Sequence, residues 1–318
     1  MLSRKKAFLF LLFLLAFIPF LLCSRGKEDR ESHLEEVLSI GSLKDDLLFQ
    51  WVGVSVDRDQ TIFVSDTMDY SLKKFSPKGK LLKKTGRKGQ GPGEFLAPRY
   101  LDSTEKFIYV SDQFNPNIQV FDKNLNYEYS VPISVPVSDF SVLSTENIAV
   151  ATLSAIKSGR IFIFNSNGKV VHEIQYSNEK SPLLMDMVNF EFDRQNNLYI
   201  VYNYKDKIEK IDTDGKKLWS KKLLGIKKVK KEKIGSFILP SRLIYKDIAL
   251  DSAGNIFVLG GSYSKNPGRD IYVFNSEGQL LTTLVLPDTS HCIYIDPLDN
   301  LYSRSNEGVT LKKFKIKY

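Results

Sequence analysis

The chain has only two cysteines and three histidines in 318 residues. Two cysteines cannot build a disulfide scaffold or a four-cysteine zinc module. Three histidines leave little room for a His-rich metal centre. Beyond the N-terminus no stretch shows sustained helical periodicity with caps, so almost no helix is expected. What is present is an ordinary globular balance, 42% hydrophobic and 26% charged, which excludes wholesale disorder. The formal charge of +8 raises nucleic acid or membrane as partners. The length fits two domains of usual size or one large all-β ring.

The N-terminus reads as an export signal. Arg4, Lys5 and Lys6 precede an unbroken apolar run over 7–22, which includes Pro19. A basic head followed by such a run describes a secretory signal, and the run is short of the ~20 residues a spanning helix wants. Cys23 stands where a bacterial lipoprotein signal places its lipid-modified cysteine. Leu22 and Phe20 depart from that pattern, so a plain secretory signal and an uncleaved anchor stay open beside it. All three put the body of the protein outside the cytoplasm. Residues 1–22 are then a signal, 23–33 a polar tether without apolar periodicity, and 34–318 the folded body. Cleavage before Cys23 removes three cations and lowers the charge from +8 to +5.

An internal repeat organises that body. One element reads LKKF (72–75), IQVF (118–121), IFIF (161–164), IEKI (208–211), IYVF (271–274) and LKKF (311–314). Gly79, Gly168, Gly215 and Gly278 follow four residues after four of these, and Leu125 holds the place in the second copy. A β-branched and aromatic run precedes each: IFVSD (62–66), IYVSD (108–112), IAVA (148–151), LYIV (198–201), IFVL (256–259) and LYS (301–303). Asp57, Asp193, Asp251 and Asp296 lie five residues ahead of it, with Asp102 and Leu143 at the two irregular places. Each unit therefore reads as a four-strand meander: an apolar inner strand, an Asp turn that tolerates left-handed geometry, a buried strand, and a third strand ending in a glycine turn.

The third strands start at 72, 118, 161, 208, 271 and 311, so copies lie 40 to 47 residues apart except for one interval of 63. Propeller blades repeat every ~40–50 residues. The long interval holds a basic insertion, GIKKVKKEK (225–233). The sixth copy reaches Tyr318 without an outer strand, while EVLSIG (36–41) is a strand without a unit. Pairing the two closes the ring and hides an edge. The expected fold is all-β: a six-bladed β-propeller of four-stranded antiparallel blades, closed by an N-terminal strand.

The run GRKGQGPGEF (86–95), with the IYVSD-type strands, resembles the NHL-like six-bladed β-propeller proteins of bacterial envelopes, many of them predicted lipoproteins. The resemblance covers about residues 34 to 318 and implies a fold and a location rather than a reaction. The glycine loop itself lacks the Gly-Lys-Ser/Thr and the strand-to-helix setting of a phosphate cradle. It reads as a crossover in which Glu94 caps backbone amides. The lysines over 227–233 read as a solvated loop, with an anionic partner as the rival reading. No aromatic is interleaved with them, so nucleic acid is not expected. The repeated Asp residues obey the repeat, as structural turns do.

A site is expected at the central channel, before each inner strand. Counting four residues back from the Asp position gives Gly53, Pro98, Asp139, Asn189, Asp247 and Cys292, with Arg99 the charged neighbour in the second blade. Asp139, Asn189 and Asp247 occupy matching places in three consecutive blades. That looks like the Asp/Asn sites of six-bladed lactonases, which hold a calcium-type ion on oxygen ligands. A water-solvated polar lining is the plainer reading. His172 falls on an outer strand, so the zinc site of the peptide-amidating lyases cannot be made, nor is a Ser-His-Asp set arguable. Cys292 sits in a strand-like stretch as a buried, inert thiol.

The leading expectation is a monomeric, non-enzymatic propeller at the envelope, membrane-attached through its N-terminus, without a cofactor. It presents a rigid loop face to a protein, peptide or glycan ligand. The alternative is a calcium-dependent lactonase-like hydrolase using Asp139, Asn189 and Asp247.

Overall fold

Five-residue runs with every side chain buried mark the second strand of several repeats: Ile62–Asp66, Ile148–Thr152, Leu198–Tyr202 and Ile256–Gly260. A strand buried on both faces needs neighbours above and below as well as beside it. The computed structural model supplies them. It describes residues 32–152, 159–177, 183–234, 237–305 and 308–318. Among these, His33–Lys317 form one unit of six four-stranded antiparallel sheets, here blades 1 to 6. Cys23 and the apolar run over 7–22 lie outside the described residues.

The inner strands are Trp51–Val56, Pro98–Ser103, Val137–Val142, Val188–Phe192, Tyr245–Leu250 and Ile293–Ile295. Each opens a meander of inner, second, third and outer strand, and the chain then crosses to the next inner strand. Blade 6 takes its outer strand from the start of the chain: His33–Ile40 pairs antiparallel with Thr310–Lys317. Helical structure among the described residues is confined to the 3-10 turn Leu183–Asp186 and a 3-10 residue at Gly308.

The core is not a single centre but six seams. The buried apolar residues fall into six clusters, and each spans two adjacent blades. The seam between blades 6 and 1 holds Ile40, Trp51, Tyr302 and Leu311, so the closing strand is part of it.

The turns explain the repeat. Asp57, Asp193, Asp251 and Asp296 each accept the amide four residues on through Oδ1, at 2.7–2.9 Å. The residue before that amide is left-handed: Gln60, Asn196, Gly254 and Asp299 have φ between 60° and 79°. At the hairpin between third and outer strand, on the same end of the blade, Gly79 has φ 79°, and Leu125, its counterpart in blade 2, is held at φ 58°. Leu125 accepts that strain because its side chain is 1% exposed in the seam between blades 1 and 2.

The basic insertion is more than a solvated loop. Lys231–Ile234 and Phe237–Pro240 form a hairpin between blades 4 and 5. The glycine loop is a crossover: Gly91 N–H donates to Glu94 Oε2 at 3.0 Å, and Arg87 Nε to Glu94 Oε1 at 2.8 Å.

Candidate functional site at the channel mouth

The ring leaves a channel with two different ends. One end is lined by the Asp turns of blades 4, 5 and 6 together with Arg58, in an open cavity of about 720 Å³. The other end, the mouth, is where the inner strands begin. It narrows into a cavity of about 300 Å³ to which every blade contributes. Gly53, Arg99, Asp139, Asn189, Asp247 and Cys292 all line it, so the residues found by counting back from the turn do converge. Pro98, the other candidate in blade 2, is buried and is not part of the lining.

A local device aims these side chains. In blades 1, 2, 3 and 5 the register between inner and second strand slips just there: between Trp51 and Gly53, Pro98 and Leu101, Val137 and Asp139, and Tyr245 and Asp247. Bulges re-aim side chains and are common beside sites. Blade 2 skips two residues rather than one, which is why the count there falls between Pro98 and Arg99.

The polar groups of the channel tie adjacent blades together. Asp102 Oδ2 accepts Val142 N–H at 2.6 Å, linking blades 2 and 3. Asp139 accepts its neighbour Phe140 N–H with Oδ1 and Phe190 N–H of blade 4 with Oδ2, at 3.0 and 3.1 Å. Asp247 does the same to Ile248 and Ile293 of blade 6, at 3.0 and 2.8 Å. Asn203 Nδ2 bridges Asn189 Oδ1 at 2.7 Å and the Tyr245 carbonyl at 3.2 Å, joining blades 4 and 5. Ser65 Oγ links blades 1 and 2 through the Arg99 carbonyl, and Tyr294 Oη meets the Val56 amide at 3.2 Å to close blade 6 on blade 1. All six joints are stapled from the channel side.

These staples bear on metal binding. Both carboxylate oxygens of Asp139 and of Asp247, and the side-chain carbonyl of Asn189, already accept hydrogen bonds from the fold. A calcium site needs such oxygens turned together toward one point. Among the described residues no three His, Cys, Asp or Glu side chains are grouped to hold a metal. The donor set as arranged does not fit the ion, and no chemistry is derived through it.

Sequence reasoning missed several residues here. Glu191 and Asp102 face the channel beside Asp139 and Asp247, and Lys246, Arg304 and His291 stand at the mouth. Burial raises the pKa of Asp102. Burial together with the Asp247 charge puts Asp139 well above the carboxylate range, and burial with Asp102, Asp139 and Asp247 nearby does the same to Glu191. Burial pushes Asp247 to about 7 and Tyr100 to about 12. It also lowers Lys246 and raises Cys292, whose thiol is half-buried in the cavity lining rather than fully buried as expected. Arg99 lies over the Tyr100 ring at 5.1 Å and reaches Gln113 Oε1 at 3.2 Å, while its buried Nε has no partner. A signal for Glu191 exists in the sequence, an acid between two phenylalanines of an inner strand, while Asp102, expected at an irregular turn, instead lies on the inner strand facing the channel. Lys246 and Arg304 are brought in by the ring alone.

The family described as a 6-bladed beta-propeller matches residues 27–150. The chain is a six-bladed β-propeller. Among curated proteins none matches the sequence significantly. Solved structures similar to this propeller include a Bacteroides thetaiotaomicron protein of unknown function, at 14% identity and TM-score 0.60, over 90% of this chain and 76% of that one. Virginiamycin B lyase from Staphylococcus aureus is similar at 11% identity and TM-score 0.57, over 90% and 99%. The WD40 propeller domain of Doa1 follows at 16% identity and TM-score 0.53, over 83% and 77%. At such identities the likeness concerns the propeller fold and not the chemistry.

Proposed function

We propose that this propeller is an extracytoplasmic binding module, held at the cell envelope through its N-terminus, that presents its mouth-side loops to a protein, peptide or glycan ligand. The observation that carries this is where the sixfold repetition breaks. The turns at the far end repeat from blade to blade, whereas the mouth positions vary: Gly53, Arg99, Asn189 and Cys292 stand in four blades, and only blades 3 and 5 share a residue, Asp139 and Asp247. Identical turns serve the ring, and unlike side chains around one cavity serve recognition. The similarity of WD40 propellers and the resemblance to NHL-like envelope proteins support the same reading. So does the apolar run over 7–22 followed by Cys23. The chain enters the ring at His33, on the face opposite the mouth.

The test is a screen of the full chain in detergent against peptide and oligosaccharide panels, read by thermal shift and mass spectrometry. The expected outcome is a ligand that raises Tm, stays chemically unchanged, and loses at least about fivefold in affinity in Arg99→Ala, about 1 kcal/mol. Turnover of the ligand, or a shift indifferent to every mouth substitution, refutes the reading.

The calcium-dependent hydrolase is favoured only by Asp139, Asn189 and Asp247 sharing a cavity with two further acids. Because their oxygens already serve the staples, calcium at millimolar concentration is expected to leave Tm unchanged. A rise of several degrees that Asp139→Asn abolishes would reverse that conclusion.

A further inference from the structure

The mouth face divides into two unlike arcs. The segments between outer and inner strands, and between second and third strands, all lie on this face. On blades 1 and 2 they carry Leu43, Phe49, Met68 and Phe114, which are 80%, 43%, 63% and 67% exposed. Across the ring, the long connection between blades 4 and 5 carries Lys227, Lys228, Lys230, Lys231, Lys233 and Arg242, all exposed, with Glu232 their one acidic neighbour. None of those six cations makes an ion pair among the described residues. Cations elsewhere do: Lys73 with Asp66 and Asp69, Lys217 with Glu209, Lys312 with Glu36 and Asp288.

Resting on the binding-module reading, we propose that the mouth face docks an acidic segment of a partner protein that also carries large apolar side chains. The segment crosses the mouth, with its carboxylates over the lysine hairpin and its apolar side chains on Phe49, Met68 and Phe114. Below the mouth the cavity holds only about 300 Å³, too little for a folded-in chain, so the segment spans the channel rather than plugging it. An acidic polysaccharide would leave the apolar arc in water, at about 25 cal/mol per Å² of apolar surface left uncovered. An anionic membrane would have to meet the face opposite the one at which His33 enters the ring. Aromatic and Met contacts beside cations are the usual anchors of protein interfaces.

The experiment uses fluorescence polarisation with the full chain in detergent. The probe is a labelled peptide with a block of Glu and Asp followed by a block of Phe and Leu. Competitors are the acidic block alone, the same peptide with Lys for Glu and Asp, polygalacturonate, and phosphatidylglycerol vesicles. The two-block peptide is expected to bind at least about tenfold more tightly than any other, and to weaken at least about tenfold between roughly 50 and 300 mM salt. Lys227→Glu with Lys228→Glu and Lys230→Glu, or Met68→Ser with Phe114→Ser, should each cost about tenfold; these are surface changes that leave the core intact. No binding of the two-block peptide, equal binding of the acidic block, polygalacturonate or vesicles, or indifference to both variants overturns the proposal. If polygalacturonate binds best and Arg99→Ala weakens it, the binding module stands and only the partner class falls.

Discussion

A chain that starts at Gly41 should not fold to a stable monomer, whereas one that starts at Ser32 should. The difference is the closing strand, His33–Ile40, which pairs with the last strand of the chain at seven positions. It brings Ile40, 2% exposed, and the half-buried Leu34 and Leu38 into the seams on either side of blade 6. Burying Ile40 is worth about 1.5–3 kcal/mol, and the two half-buried leucines together about as much. The ladder adds about 0.5–1.5 kcal/mol net per hydrogen bond. The ion pairs Lys312–Glu36 and Lys317–Glu35 are too exposed to add much. The sum, on the order of 5–12 kcal/mol, is comparable to the whole stability of a typical domain. Removal also bares the edge of Thr310–Lys317, a template for pairing with another copy. Circular dichroism and size-exclusion chromatography should therefore report unfolded or oligomeric protein. Ile40→Ala, which keeps the ladder, should cost only about 2–4 kcal/mol. A monomer starting at Gly41 with the Tm of the longer chain would sink this account of ring closure.

That closure was legible in the sequence because it needs only counting: EVLSIG had no unit and the sixth unit had no outer strand. The blades were legible because burial on both faces leaves an apolar run that no amphipathic alternation imitates, as in IFVSD and LYIVY. The hairpin at Lys231–Ile234 was not, since KEKI alternates charges and offers no apolar face to read. At the mouth, counting back from the turns found Asp139, Asn189 and Asp247 because the spacing from inner-strand start to turn is constant in three blades. What those residues do was not legible. The amides of Phe190 and Ile293 belong to the next blade in each case, about 50 residues away in sequence. A carboxylate that staples two strands and one that awaits a metal have the same letter and the same spacing. Lys246 and Arg304 reach the mouth only once the ring has formed.

The acidic lining makes a second large prediction: the propeller should be more stable at pH 5 than at pH 8. Asp102, Asp139, Glu191 and Asp247 surround one channel; burial raises all four pKa values, and the neighbouring carboxylates add to it at Asp139 and Glu191. Each holds its proton more tightly folded than unfolded. The native state therefore binds more protons between about pH 4 and 7, and stability falls as pH rises through that window. For Asp247, a rise from 3.8 to about 7 corresponds to at most roughly 4 kcal/mol at about 1.4 kcal/mol per pKa unit. Water reaches the channel, so about 1–2 kcal/mol is the expected share. Below about pH 4 the trend reverses. Asp69, Asp206 and Glu209 have pKa values lowered by lysine or hydrogen-bond partners, and they lose their contribution as they protonate. Thermal melts should show a Tm about 5 °C higher at pH 5 than at pH 8. Glu191→Gln isolates the cause, because Glu191 staples no neighbouring blade. It should raise Tm by about 2–4 °C at pH 8 and leave pH 5 unchanged. Asp139→Ala should instead lower Tm at both, because Phe140 and Phe190 amides lose their acceptor at about 1–3 kcal/mol each. A wild-type Tm that is flat or rises from pH 5 to 8, or a Glu191→Gln effect of equal size at both, would mean that the channel carboxylates carry no net charge to relieve.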